Sequence, residues 1–264
     1  MTSATPDMPD RFRLPSILGW VVIVTFAAFF IQGVYSAELS IDRILRGAVN
    51  FSRFIAMAFP PDFERWPMIA SAMWETLNIA IVGVTLGCIL SAPLALLAAR
   101  NTAPNAVVRT VARLFISTAR TIPDLIWALI FVVAVGLGPL AGILAIIMDT
   151  IGFAARFYSE RFEEVRSGPS DALTATGAGR LSVIFGAIIP ESLASMTGTS
   201  LFSVEKSIRS AVTLGLVGAG GIGVELSTAM RLFQYDRACA IILVILVSVI
   251  LFEQLSSSLR KRML

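Results

Sequence analysis

The chain has 264 residues, of which 56% are hydrophobic and 15% are charged. A soluble domain carries about a quarter charged residues, so this much apolar surface predicts a protein that lies in lipid. The net charge of +3 is too small to indicate a nucleic-acid surface, and the absence of histidine excludes Ser-His-Asp triads and nearly all zinc sites.

The first apolar run, from about Ile17 to Val34, follows a polar start that contains Arg11 and Arg13. A membrane-crossing helix needs about 20 mostly apolar residues. The run is longer than the apolar region of a signal peptide, and no small-residue cleavage pattern follows it. We therefore interpret it as a retained transmembrane helix.

Five more runs are candidate spans, and one amphipathic stretch, Ile44 to Phe59, is more typical of an interfacial helix. The candidate spans are Leu77–Ala99, Ile116–Val135, Leu140–Phe157, Leu193–Leu216 and Ala238–Leu255. The run Leu193–Leu216 is less uniformly apolar than the others, because it contains Glu205, Lys206 and Arg209. Cys88 and Cys239 lie inside apolar runs, which favours packing over a disulfide or a metal pair.

Basic residues predict the orientation of the spans, because cytoplasmic segments are enriched in Lys and Arg. With six spans and a cytoplasmic N-terminus, the inside segments hold twelve basic residues and the outside segments hold six. Those inside are Arg11, Arg13, Arg100, Arg109, Arg113, Arg156, Arg161, Arg166, Arg180, Arg260, Lys261 and Arg262. Those outside are Arg43, Arg46, Arg53, Arg65, Arg231 and Arg237. Both termini are therefore expected in the cytoplasm.

These features divide the chain into five segments. We expect a cytoplasmic tail at 1–16, a first transmembrane helix at 17–36, and a periplasmic or interfacial amphipathic segment at 37–69. A core follows at 70–258, with a cytoplasmic loop at about 160–192, and a short cytoplasmic tail occupies 259–264. Whether the first helix packs on the core stays open.

The loop at 160–192 predicts two helices separated by a bend. Pro169 and Ser170 are typical of a helix start, and Gly177 permits a bend. A second amphipathic stretch then ends at Pro190, which we expect to begin the next span. An ordinary amphipathic loop on the membrane surface is the simplest interpretation of this composition.

The spacing in this loop resembles the coupling-loop signature of ABC importer transmembrane subunits: Glu-Ala-Ala, three residues, Gly, nine residues, Ile-x-Leu-Pro. Asp171, Ala172 and Leu173 stand for the triplet, Gly177 for the glycine and Pro190 for the last residue. The stretches Arg120–Ile146 and Val204–Leu226 extend the resemblance, which is to phosphonate-type ABC permeases over about residues 70–258.

This resemblance implies an all-α membrane protein with about six transmembrane helices and a type I ABC importer permease core of the methionine-permease-like kind. It implies a bacterial inner-membrane location, a second copy of the chain, two cytoplasmic ABC ATPase subunits and an extracytoplasmic substrate-binding protein. ATP and Mg would be used by the partner ATPase, since the chain has no P-loop lysine motif and is expected to bind no cofactor or metal itself. Asp171 would contact the ATPase.

Two charged residues are candidates for the substrate pathway, since a charge inside a span costs roughly 2.5–3.5 kcal/mol and faces a cavity or a partner. Glu205 and Arg209 have the spacing of a helical ion pair, so they can be purely structural. Alternatively, Arg209 lines the path of a phosphonate or phosphate oxyanion, and Glu205 holds it between transport events. Lys206 could reach a helix end, and Asp149 could pair with a basic residue on a neighbouring helix.

A glycine-rich segment follows this span. It matches G-x-G-x-x-G, but that fingerprint indicates dinucleotide binding only between a strand and a helix of a soluble βαβ unit. Here the glycines predict close packing or a turn near the outer mouth, as a gate or a contact with a binding protein. They are Gly215, Gly218, Gly220, Gly221 and Gly223.

The expected function is ATP-driven import of a phosphonate or a related oxyanion. An importer of another solute, such as methionine, is the main alternative. A passive channel or a membrane anchor is a further alternative, although a channel needs no ATPase-docking loop and an anchor needs no buried Glu205 and Arg209. A membrane enzyme lacks its usual catalytic groups here.

Overall fold

The computed structural model describes residues 16–37 and 40–263, and within them the chain is helical with no strand. The predicted all-α fold is therefore confirmed. The chain divides into two compact units, Met1–Ala56 and Met57–Leu264, which are described separately.

The first unit contains two helices of different character. Helix α1 (Ile17–Ser36) starts where the Ser16 hydroxyl accepts a hydrogen bond from the Gly19 N–H at 3.3 Å, and none of its residues is buried. Its mean hydropathy suits a membrane span. Helix α2 (Ile41–Ala58) is amphipathic and is not among the helices apolar enough to cross a bilayer.

The second unit begins with a long helix and a broken one. Helix α3 (Trp66–Ala98) has 33 residues, or about 50 Å, which exceeds the roughly 30 Å apolar thickness of a bilayer. Helices α4 (Ala106–Thr121) and α5 (Asp124–Val135) meet at 93°. The Asn105 side chain caps α4 by accepting from the Val108 N–H at 2.8 Å.

The sequence predicted one continuous span from Ile116 to Val135, and this was wrong. Pro123 disfavours helical geometry at the residue before it, and Ile122 is extended, with φ −81° and ψ 119°. The Trp127 indole N–H donates to the Ala119 carbonyl oxygen at 3.2 Å across the break. The bend is thus held by a side-chain hydrogen bond.

The next helical stretch widens in its middle. Helix α6 (Pro139–Thr150) leads into a π-helical turn (Ile151–Ala155) and then α7 (Arg156–Glu164). The π-turn packs tightly on α4, because a Cβ at Gly152 would lie 2.7 Å from the Arg120 amide nitrogen.

The remaining helices complete the unit. They are α8 (Ser167–Ala175), α9 (Arg180–Val183), a second π-helical turn (Ile184–Ile188), α10 (Ile189–Gly215), α11 (Ile222–Arg231) and α12 (Tyr235–Met263). From Arg180 to Gly215 the chain is helical without interruption. Among the described residues, five helical stretches are long and apolar enough to cross a membrane, or six if the bent pair α4–α5 is one span. This agrees with the predicted number of about six.

The two ends of the second unit, which α10 connects, are each held by hydrogen bonds between different segments of the chain. At the loop end, next to α8, Asn101 Nδ2 donates to the Phe162 carbonyl oxygen at 2.5 Å and Arg113 Nε donates to the Ala98 carbonyl oxygen at 2.9 Å. At the glycine-turn end, where α10 finishes, the Gly138 N–H donates to the Gly218 carbonyl oxygen at 3.0 Å. Helix α10 therefore connects the predicted coupling loop with the glycine-rich segment.

Candidate functional site

Helix α8 presents the residues of the predicted loop triplet. Asp171 and Ala172 are exposed, whereas Leu173 is partly buried. The helix begins at Ser167, so the prediction that Pro169 and Ser170 mark its start was wrong by two residues. Proline is accommodated in a first helical turn, whose N–H groups have no helical acceptors. An exposed short helix with one inward leucine is suited to docking on another protein.

Gly177 makes the bend after α8, as predicted. Its φ is +81°, a conformation that L-residues with side chains adopt rarely. Its N–H donates to the Thr174 carbonyl oxygen at 3.0 Å, and the Ala178 N–H donates to the Leu173 carbonyl oxygen at 3.2 Å. No atom lies within 4 Å of a Cβ placed there. Backbone conformation, rather than space, therefore requires the glycine.

The loop is connected to the base of α10 by its inward leucine. Leu173 Cδ1 would lie 3.2 Å from a Cβ at Gly186, which belongs to the second π-turn. Arg180 also donates to the Ala103 carbonyl oxygen in the link between α3 and α4. Helix α8 and the residues that follow it therefore contact the helices of the bundle directly, so a movement of α8 can be passed to them.

Pro190 stands at the start of α10, as predicted, but the helical stretch before it continues into α10 without the expected break. It lies in the first turn of α10, inside the continuous helical stretch. Proline has no N–H and its ring clashes with the carbonyl four residues earlier, and a π-turn directly precedes it. There the Ile189 N–H reaches the Ile184 carbonyl oxygen, five residues back. The wider turn lets the helix continue beyond Pro190.

The charges of α10 are paired differently from the sequence prediction. Arg260 donates from Nη2 to Glu205 Oε2 at 3.1 Å, which joins α12 to α10. Arg209 is exposed, and none of the acidic side chains that the structure describes pairs with it. Glu205 and Arg209 therefore do not form the expected helical pair, because α12 brings a competing cation to Glu205.

Asp149 has the interhelical partner that the sequence suggested, and that partner is Lys206. Lys206 Nζ lies 2.8 Å from each carboxylate oxygen of Asp149 on α6. It also lies 5.3 Å from the ring centroid of Phe153, a cation–π distance. The prediction that Lys206 reaches a helix end was wrong. Asp149 stands out in the sequence as an isolated charge in an apolar run, but no sequence signal selects Lys206 over Arg209 as its partner.

The glycine turn between α10 and α11 is stabilised by α3. Gly218, Gly220 and Gly221 all have positive φ, at +90°, +87° and +74°. The Gly221 N–H donates to Glu75 Oε1 at 3.0 Å, and the Ile222 N–H donates to Thr76 Oγ1 at 2.7 Å. This is the non-helical turn that the glycines predicted.

Gly215 and Gly223 serve close packing rather than turning. A Cβ at Gly215 would lie 2.7 Å from both the Gly220 carbonyl oxygen and the Gly223 Cα. Helices α10 and α11 thus meet backbone to backbone. Glycine contacts of this kind are common between membrane helices, where small residues allow close approach.

A cavity of about 500 Å³ lies beside the glycine turn, between α3 and α11. Glu75 and Glu225 are among its lining residues. Arg237, only 7% exposed, donates to Glu225 Oε2 at 2.9 Å and to Met68 Sδ at 3.2 Å. Sequence reasoning treated Arg237 as an ordinary loop charge and missed this buried ion pair. Among the described residues, no group of three or more Cys, Asp or Glu side chains could hold a metal ion.

These features define a polytopic membrane protein with the exposed helix α8 at one end, a glycine turn at the other and charged residues between them. The model of the family "Binding-protein-dependent transport system inner membrane component" matches residues 91–264. The chain belongs to this family of membrane transport permeases.

Individual relatives agree with the family. A phosphite transport system permease protein, PtxC of Stutzerimonas stutzeri, is 34% identical over 92% of this chain and 90% of its own length. A phosphate-import permease protein, PhnE of Mycolicibacterium smegmatis, is 35% identical over 99% of this chain and 48% of its own. A methionine import system permease protein, MetP of Bacillus subtilis, is 31% identical over only 47% of this chain. The resemblance to phosphonate-type permeases is therefore confirmed, and the methionine relative is more distant.

The fold also matches a solved structure. An inward-facing form of the MetNI methionine ABC transporter superposes with a TM-score of 0.66 at 17% identity, covering 77% of this chain and 99% of that one. At this identity the likeness describes the fold alone. The predicted methionine-permease-like core is confirmed.

Proposed function

We propose that the chain is the permease subunit of an ATP-driven importer for a phosphonate or a related oxyanion such as phosphate or phosphite. The observation that carries the proposal is the exposed helix α8, which presents Asp171 and is connected through Leu173 to the base of α10. The names of the relatives, phosphite and phosphate permeases, support the substrate class.

The distribution of basic residues supports a cytoplasmic loop end. Within the second unit, seven arginines lie at or near that end and three lie at the glycine-turn end. Those of the loop end are Arg100, Arg109, Arg113, Arg156, Arg161, Arg166 and Arg180, and those of the other end are Arg65, Arg231 and Arg237. Because cytoplasmic segments are enriched in basic residues, the glycine turn faces the outside and both termini of the chain are cytoplasmic.

The proposed assembly has two copies of this chain, two ABC ATPase subunits and an extracytoplasmic binding protein. The ATPases hydrolyse ATP with Mg, while this chain binds no nucleotide. Asp171 and Ala172 contact an ATPase, and Gly177 sets the angle at which α8 meets it. ATP binding moves α8, and the contact between Leu173 and the second π-turn passes that movement to α10. The bundles then expose the path to one side at a time.

Arg209 is the proposed pathway residue on α10. Its guanidinium is exposed, and it matches the geometry of a tetrahedral oxyanion by donating two parallel hydrogen bonds. Glu205 contributes indirectly by fixing α12 through Arg260. The glycine turn, with Gly215, Gly218, Gly220, Gly221 and Gly223, forms the outer gate or the contact with the binding protein.

Reconstitution tests this function. The chain would be co-expressed with its candidate ATPase and binding protein and placed in liposomes, and ATP hydrolysis would be followed with methylphosphonate, phosphate, phosphite and methionine. Stimulation by an oxyanion and not by methionine supports the proposal. Stimulation by methionine alone overturns the substrate class, and failure to associate with any ATPase overturns the importer role in favour of a channel or an anchor.

A further inference from the structure

We propose that Lys206 is a ligand of the transported oxyanion inside the membrane, and that Asp149 occupies it between transport events. This inference rests on the proposed function and adds a residue to its pathway. It starts from an ion pair that joins α6 to α10 in the apolar part of the second unit. Lys206 Nζ lies 2.8 Å from both Asp149 oxygens and 5.3 Å from the Phe153 ring centroid.

The position of Lys206 on α10 places it in line with Arg209. Phe202, Lys206, Arg209 and Thr213 follow one another at spacings of four, three and four residues, which is one face of a helix. Phe202, Arg209 and Thr213 are exposed, and the Lys206 side chain is 35% exposed. Lys206 and Arg209 therefore form a strip of two cations, about one helical turn apart, on an open face of the bundle.

The pair differs from the other ion pair of α10 in where its cation lies, because the exposed fractions of the two pairs are similar, at 35% and 20% for Lys206 and Asp149 and at 32% and 15% for Arg260 and Glu205. Lys206 belongs to α10 and shares a face with the exposed Arg209, so its partly exposed ammonium can be approached from that open face while Asp149 pairs with it. Glu205 is 15% exposed, and its partner Arg260 comes from the last turns of α12. Both pairs join two helices, but the first places its cation on the face of α10 that carries Arg209, whereas the cation of the second belongs to α12.

The chemistry of exchange suits transport. A tetrahedral oxyanion can take the place of the Asp149 carboxylate at Lys206, so the ammonium stays paired throughout. Asp149 then lies beside the bound anion without its cation, and the repulsion between the two negative charges favours release. A transport site must bind strongly enough for entry and weakly enough for exit, and a competing carboxylate beside the ligand meets that requirement.

Three variants separate this role from a purely structural ion pair. Lys206→Gln should lower uptake of phosphate, phosphite and methylphosphonate by about tenfold or more, the loss expected for one charged hydrogen-bonding partner. Asp149→Asn should keep uptake and should lower the half-saturating concentration, because the competitor is gone. The double variant Asp149→Asn with Lys206→Gln should stay as inactive as Lys206→Gln.

A structural pair makes the opposite prediction. If the two charges only neutralise each other, each single variant leaves one charge without a partner, so Asp149→Asn should lose as much uptake as Lys206→Gln. The double variant removes both charges and should therefore recover uptake. Because the double variant leaves neither member of this pair as an unpaired charge, it also decides the question if a single variant fails to assemble. Uptake by the double variant at the wild-type level would overturn the role of Lys206.

The controls distinguish this inference from the proposed function. Wild-type liposomes that show no stimulation by any oxyanion would contradict the proposed function itself. Wild-type liposomes that transport an oxyanion, together with an active double variant, would contradict only the role of Lys206. Co-purification with the ATPase and its basal hydrolysis rate, measured for every variant, would report assembly independently of the solute.

Discussion

Arg260 Nη2 lies 3.1 Å from Glu205 Oε2, and this hydrogen bond joins the last turns of α12 to the middle of α10. The Ser256 hydroxyl donates to the Leu201 carbonyl oxygen at 3.4 Å, in the same contact between the two helices. The C-terminal part of α12 is thus fixed to the helix that carries the proposed pathway residues.

Arg260→Gln should destabilise the contact between α10 and α12, because Glu205 keeps its charge in a largely buried position without a partner. The expected loss is about 1–3 kcal/mol, or a melting temperature lower by roughly 2–4 °C per kcal/mol in a chain of this size. Thermal unfolding of the purified protein by circular dichroism measures it. The double variant with Glu205→Gln should recover most of the loss, and equal melting temperatures for the single variant and the wild type would contradict the role of the pair.

Gly177→Val should uncouple ATP hydrolysis from uptake while leaving assembly intact. The positive φ costs a residue with a side chain about 1–2 kcal/mol, so the bend after α8 changes rather than the bundle. Gly177→Asn is the matched control, since asparagine tolerates this conformation better. The ratio of solute imported to ATP hydrolysed should fall clearly for valine and only slightly for asparagine. Equal ratios for both variants would show that the bend is not what couples the two processes.

Gly215→Ala should lower stability, because the added methyl group meets the backbone of α11 at 2.7 Å. Overpacking of this kind costs about 1–3 kcal/mol, and a backbone neighbour cannot rotate away. Gly168→Ala is the control: it lies in α8 with nothing within 4 Å of its Cβ, and alanine favours a helix. Melting temperatures of the two variants should differ in opposite directions from the wild type.

Thr76→Val should loosen the glycine turn, since the valine removes the acceptor of the Ile222 N–H at 2.7 Å. An unsatisfied buried donor costs about 1–3 kcal/mol. Thr85→Val in the same helix is the control, because Thr85 is exposed and bonds only to the Ile81 carbonyl oxygen of its own helix. Hydrogen exchange at Gly221 and Ile222, followed by mass spectrometry, should accelerate for the first variant and not for the second.

The parts of the fold set by composition and spacing were predictable from the sequence. Apolar runs of about 20 residues define the spans, and Gly177 and the glycines after Gly215 mark turns because few other residues take their backbone angles. The effects of the prolines on their helices were harder to predict. Pro123 interrupts a span, whereas a π-helical turn before Pro190 lets the helix continue. The difference depends on how neighbouring helices pack around each proline.

The partners in the ion pairs were not predictable from the sequence, although the need of an isolated charge for a partner was. Glu205 and Arg209 have a suitable spacing, but α12 returns to place Arg260 beside Glu205, and no local pattern indicates that. Asp149 required a cation from another helix, and the choice of Lys206 depends on the packing of α6 against α10. The buried Arg237 was missed for the same reason, since Glu225 and Met68 reach it from two other helices.

The indole of Trp127 bridges the 93° bend between α4 and α5 through the Ala119 carbonyl oxygen. Any straightening of this bend must break that hydrogen bond and change the surroundings of the ring. Because indole emission depends on hydrogen bonding and local polarity, the chain carries its own optical reporter at the break. With the other tryptophans replaced by phenylalanine, the emission of Trp127 would follow this part of the bundle through a transport cycle without an attached dye.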